Sequence, residues 1–207
     1  MLQIQINKNL FLSLIASLLF SFLLAQDKST PHVSFAIVVG ANSSNMNFNK
    51  GVPAPATHIN RTWKTGLSLG FLIDVPLAEK LFLQPGYYYV QRNGADNSTG
   101  LNYLVDFLSL PVLLKYKISP VISILAGPEG GLLISATQNS NGVKTTITHD
   151  FEERSIGATG GIDFLIKNNF LISARIMQGL NHIGIGQRSD VKEFKYESAS
   201  LSIGIKF

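Results

Sequence analysis

The chain of 207 residues contains no cysteine. That excludes disulfides, thiolate metal sites and a thioether-linked lipid at the N-terminus. It does not assign a compartment, since exported proteins also do without cysteine. Charge is sparse: Asp, Glu, Lys and Arg make up 14% of the residues, and the net charge is only +4. The pI of about 9.3 looks basic, yet the 17 Lys and Arg residues are scattered and form no patch that would bind nucleic acid. A third absence concerns apolar runs. After residue 25 no uninterrupted stretch approaches the roughly 20 residues a helix needs to cross a bilayer.

One apolar run does exist, LFLSLIASLLFSFLL at 10–24. Lys8 precedes it, and Ala25, Gln26, Asp27 and Lys28 follow. A charged start, an apolar middle and a small-residue exit describe a secretory signal. We expect cleavage after Ala25, although Leu23 is larger than the residue usual two places before a cut. The competing reading is a retained anchor helix, for which the run is short. The expected organisation is a removed signal at 1–25 and one barrel domain at 26–207.

The last twelve residues, YESASLSIGIKF, have two unlike faces. Ala199, Leu201, Ile203, Ile205 and Phe207 alternate with Ser198, Ser200, Ser202, Gly204 and Lys206. A strand sends successive side chains to opposite sides, so one face is continuously apolar and the other small and polar. That is the pattern of a strand with lipid on one side and a narrow interior on the other. Seven further segments alternate similarly, at 33–40, 63–73, 80–90, 104–116, 121–136, 153–166 and 170–178, with the eighth at 196–207. Leu67, Leu69, Phe71 and Ile73 against Gly66, Ser68 and Gly70 are the clearest of them.

Long connections rich in Asn, Gly, Ser and Thr at 41–62, 91–103, 137–152 and 179–195 alternate with short ones near 74–79, 117–120 and 167–169. Membrane barrels have short periplasmic turns and longer external loops, which places both mature termini in the periplasm. An open sheet would leave unpaired backbone in hydrocarbon, so the first strand must pair with the eighth. The expected fold is all-β: a closed eight-stranded antiparallel up-and-down transmembrane barrel in the outer membrane. The alternative, a soluble exported lipocalin-like ligand-binding barrel, would carry large apolar groups inside and Lys and Glu outside.

The polar phase puts Lys115, Glu129, Asp163, Arg175 and Lys206 inside. Unpaired buried charges are costly, so an interior network is expected, with Glu129 paired to Arg175 or Lys115. Eight strands leave an interior that side chains fill, which disfavours a wide pore. Trp63, Tyr87, Tyr89, Tyr116 and Tyr196 are expected as anchors at the membrane interface, with Tyr103 nearby and Tyr88 on the opposite phase.

Other features carry less. His149, Asp150, Glu152 and Glu153 have metal-ligating side chains, and His58, His149 and His182 with Ser189 and Asp190 invite a hydrolase at the rim. Neither has recognisable spacing, so no metal, no cofactor and no catalytic residue is expected. GPEGG at 127–131 and GIG at 184–186 are not phosphate loops of the strand-to-helix kind. The sequons at Asn60 and Asn97 have little weight in a bacterial envelope protein.

The phrase YLVDFLSLPVLLKYK, the Gly-rich fifth and sixth strands and the terminal SLSIGIKF together resemble the PorT-like outer-membrane β-barrel family of Bacteroidetes over approximately residues 31–207. The resemblance implies a barrel fold and an outer-membrane address. One member is associated with type IX secretion and maturation of surface proteins, whereas many relatives have no assigned role. Phe207 resembles the final aromatic read by the barrel-assembly machinery, with Leu201, Ile203 and Ile205 supplying the alternating apolar phase. The expected function is a noncatalytic structural or binding role through the external loops. The expected partners are outer-membrane lipid and lipopolysaccharide, the assembly machinery during biogenesis, and an envelope protein or glycan. No nucleic acid is expected, and the barrel should be a monomer.

Overall fold

A computed structural model describes residues 32–51, 62–96, 100–140, 142–167, 169–183 and 193–207. Among the described residues the alternating sequence folds into ten strands: β1 (Ser34–Asn47), β2 (Lys64–Pro76), β3 (Leu81–Gln91), β4 (Gly94–Asp96), β5 (Leu101–Lys117), β6 (Ile122–Ser140), β7 (Val143–Thr146), β8 (Arg154–Ile166), β9 (Phe170–Gly179) and β10 (Lys195–Lys206). Eight of them are long and pair antiparallel with their sequence neighbours. β1 also pairs with β10, from Ala36 opposite Lys206 to Asn47 opposite Lys195, and this closes the barrel. The short β4 and β7 are hairpin extensions on the outer ends of β5 and β6. Proposed signal residues 1–25 lie outside the described residues.

The two faces separate as the alternation requires. Val39, Leu69, Ile203 and Leu114 point outward with 53%, 55%, 48% and 48% of their surface exposed. Inward-facing Val38, Leu72, Leu113 and Ser173 are buried. An apolar band continuous around the barrel is stable against hydrocarbon but not against water. This arrangement is the reverse of a soluble lipocalin-like barrel. One bulge interrupts the ladder where Asp106 and Phe107 of β5 face Ser135 and Leu133 of β6, leaving Ile134 as the extra residue.

Connections at one end are short. In the β2–β3 turn the Leu77 and Ala78 amides donate to the Leu81 carbonyl at 2.8 and 3.0 Å, and in the β5–β6 turn Ile118 and Ser119 donate to Ile122 at 3.0 and 3.1 Å. At the other end two strands run further than their sequence suggests. β1 continues through ANSSNMN to Asn47 and β6 through Ser140, where connections were expected. Polar residues continue the ladder there because the strands have risen above the apolar band. The Asn42 side-chain amide donates to the Gln91 carbonyl at 2.9 Å, and the Ser44 hydroxyl to the Asn93 carbonyl at 2.7 Å.

Candidate functional site

The inward phase carries most of its charge in two groups. Near the short-turn end, Lys115 Nζ lies 3.1 Å from Asp74 Oδ2 and 2.8 Å from Asp163 Oδ2, and Lys206 Nζ lies 2.7 Å from Asp74 Oδ2. Asp74 comes from the end of β2, Lys115 from β5, Asp163 from β8 and Lys206 from β10, so this cluster ties the whole circumference together. Gln84 of β3 sits among them. Its amide nitrogen donates to Asp74 at 2.7 Å, and its carbonyl oxygen accepts from Arg175 Nη2 at 2.8 Å.

Higher in the barrel Glu129 of β6 accepts from Arg92, from the Ser109 hydroxyl at 2.6 Å and from the Thr159 hydroxyl. Arg92 follows β3 and spreads its guanidinium over the Phe107 and Tyr196 rings, 5.2 and 5.9 Å from their centroids. Two carboxylates therefore balance two lysines below, and one carboxylate balances one arginine above.

An aromatic cap closes the end with the longer connections. Phe48 and Phe151, each at the edge of a 3-10 turn, pack with Phe194 at centroid distances of 5.3 and 5.6 Å; Phe194 meets Tyr196 edge-on at 5.0 Å. Ile183 completes it, held where its amide donates to the Phe194 carbonyl at 2.9 Å. Lys50 fastens the first turn to β10 through Glu197 at 2.9 Å. Between cap and base lies a chamber of about 40 Å³, lined among others by Ser68, Tyr88, Arg92, Glu129 and Arg175. That volume holds a few waters.

Lys115, Glu129, Asp163 and Arg175 all lie inside, but the expected pairing of Glu129 is corrected. Its partner is Arg92, while Arg175 turns to the Ser173 hydroxyl and Gln84, and Lys115 to the aspartates. Inter-strand register decides this. Trp63, Tyr87, Tyr89 and Tyr116 face outward with 48%, 55%, 38% and 45% exposed. Tyr89 also donates to Asp106 at 2.8 Å, a polar contact on the outer wall. Tyr196 is a correction: it is fully buried within the cap, because it shares the inward phase of Ser198 and Ser202. Tyr103 is buried as well. Leu201, Ile203, Ile205 and Phe207 all point outward.

Sequence reasoning missed Asp74, placed in a turn, and Arg92, Phe48 and Phe194, placed in connections. Inward parity with Gly70 and Leu72 is the signal that identifies Asp74. Among the described residues no three His, Asp or Glu side chains are arranged to hold a metal. His182 instead shares a hydrogen bond of 2.9 Å with the Lys50 carbonyl, and GPEGG is an uninterrupted part of β6. His58, Ser189, Asp190, the GIG at 184–186, Asn60 and Asn97 lie outside the described residues.

Residues 24–184 match the model of a family described as outer membrane protein beta-barrel domain. The architecture recurs among solved structures. One is Ail, the attachment invasion locus protein of Yersinia pestis, crystallised with the heparin analogue sucrose octasulfate. It superposes with a TM-score of 0.51 at 16% identity, covering 84% of this chain and 99% of Ail. Neisserial surface protein A gives a TM-score of 0.51 at 11% identity, covering 85% and 98%. At these identities the likeness is one of fold. No curated protein sequence matches the chain significantly.

Proposed function

Because the chain belongs to the outer membrane protein beta-barrel domain family, we propose that it serves as a sealed, noncatalytic scaffold that presents its external loops to a partner. The barrel sits in the outer membrane, with its short turns, the start of β1 and the end of β10 facing the periplasm. One observation supports the reading: a cluster of aromatic side chains packs into one end of the interior and a salt-bridged group into the other, as in a barrel built to hold its loops, not to pass solute. The partner is an envelope protein or a glycan met at the connections spanning 41–62 and 179–195, of which 52–61 and 184–192 lie outside the described residues.

Partner capture from intact cells after mild detergent extraction tests this, with an unrelated eight-stranded barrel as control. Specific capture that is lost when these two connections are replaced by short turns supports the scaffold role. Equal capture by the control barrel contradicts it. Lipid and lipopolysaccharide surround the apolar band in this reading, with Trp63, Tyr87, Tyr89 and Tyr116 as its anchors. Leu201, Ile203, Ile205 and Phe207 serve the assembly machinery, and the barrel works as a monomer. A leader at 1–25 is removed on export.

A PorT-like part in type IX secretion is the second reading, and it rests on YLVDFLSLPVLLKYK and SLSIGIKF alone. Deletion should then trap cargo in the periplasm without a general defect in outer-membrane assembly. Normal delivery of surface proteins would exclude it.

A further inference from the structure

Among the described residues Arg175 is the buried cation of the interior without an ion pair. Arg92 is offset by Glu129, and Lys115 and Lys206 by Asp74 and Asp163. Arg175 is only 9% exposed, yet its hydrogen-bond partners are neutral: the Ser173 hydroxyl at 3.0 Å and the Gln84 carbonyl at 2.8 Å. Its guanidinium also lies 5.2 Å from the centroid of the Tyr88 ring. Among the described residues no carboxylate comes within ion-pair distance of it. A buried cation without a counter-charge is strongly destabilising, and a ring face returns only part of that cost.

The chamber beside Arg175 has a complementary defect. Tyr88 and Ser68 line it, both more than nine-tenths buried; the Ser68 hydroxyl has no hydrogen-bond partner, and the Tyr88 hydroxyl, set beside the Arg175 guanidinium, has no acceptor for its proton. The Arg92 Nε–H is likewise unpaired. Buried donors left unmade are costly and ask for an acceptor. One acceptor carrying a single negative charge would satisfy Arg175 and both hydroxyls together. A cation is disfavoured by two guanidiniums on the wall. A dianion would over-neutralise the one unmatched charge, and Glu129 on the same wall opposes it.

We infer that the central chamber binds a small monovalent anion of the halide class, held by Arg175, Tyr88 and Ser68 as the counter-ion of Arg175. The site is independent of whatever the external loops engage. The about 40 Å³ of the chamber accommodates one such ion with a water or two. A ligand that binds only the folded state stabilises it by mass action, so the anion tightens the barrel from within.

The test uses the full chain, refolded from urea into detergent micelles in bromide or in gluconate of equal ionic strength. Refolding gives the ion access without passage through the cap. The urea midpoint of the wild type should rise with bromide and stay flat in gluconate. Crystals grown in bromide should show an anomalous peak beside Arg175 and Tyr88. Tyr88→Phe keeps the ring beside Arg175 and removes only the hydroxyl, with its own midpoint in gluconate as the reference. It should need roughly tenfold more bromide for the same shift, the worth of one hydrogen bond to a charge. Arg175→Gln should abolish the response; if it does not refold, Tyr88→Phe and the anomalous peak decide. Equal wild-type midpoints in the two salts, or a bromide response unchanged in Tyr88→Phe, would overturn the inference.

Discussion

Glu129→Gln, Arg92→Met and the double change together ask whether matched charges hold the interior or merely fill it. The Arg92 side chain is 3% exposed and that of Glu129 10%, so water screens neither. In Glu129→Gln the shape is kept, and the Thr159 hydroxyl can reverse to accept from the new amide. What is lost is the counter-charge of Arg92. Breaking a buried pair from one side costs about 3 to 5 kcal/mol. The Phe107 and Tyr196 rings beneath the guanidinium recover part of this, which puts Glu129→Gln near the lower end. Arg92→Met leaves the carboxylate with only the Ser109 and Thr159 hydroxyls and should cost a similar amount. The double change removes both charges, and its cost falls to about 2 kcal/mol, that of weakened hydrogen bonds. Urea unfolding in phospholipid vesicles, followed by the fluorescence of the single tryptophan, Trp63, gives the four free energies. Heat-modified electrophoretic migration gives an independent order. Singles within about 0.5 kcal/mol of the wild type, or costs that add to within that margin, would refute the reasoning.

Three other changes bear on separate parts of the account. In Gly70→Ala the new Cβ would fall on the Tyr88 ring, which lies across the β2–β3 ladder. Overpacking of this kind should lower stability by about 1 to 3 kcal/mol, read as a lower urea midpoint; an unchanged midpoint would mean that Tyr88 is not fixed there. Phe194→Ala empties the centre of the aromatic cap and should cost about 3 to 5 kcal/mol. Protease added outside intact cells should then cut near the start of β10, and undiminished resistance would count against the cap. Leu69→Arg places a charge on the outward apolar band and should cost about 2 to 4 kcal/mol in vesicles if that residue faces the bilayer midplane. Refolding as stable as the wild type would argue that Leu69 faces water.

The faces of the strands were legible because parity is a local property. YESASLSIGIKF assigns its own inside and outside, and the same parity places Tyr196 inward, although its ring suggested an interface anchor. Asp74 was obscured because it lies in the last residues of β2, within the stretch 74–79 that reads as a short connection. Glu129 and Arg92 are 37 residues apart, and no local pattern reports that contact. It depends on the register of β3, β5 and β6 together, including the bulge at Ile134. The cap was hidden for a similar reason: Phe48, Phe151 and Phe194 stand singly among polar residues in three different connections. They form a cluster only once the barrel brings those connections over one mouth.

Conductance across a planar bilayer tests the central claim, a barrel sealed by its own side chains, most directly. The full chain, inserted with heat-modified migration confirming the folded form, should add no discrete current above the lipid leak. Reproducible single-channel steps from the wild-type chain would contradict the sealed interior and the scaffold role built on it.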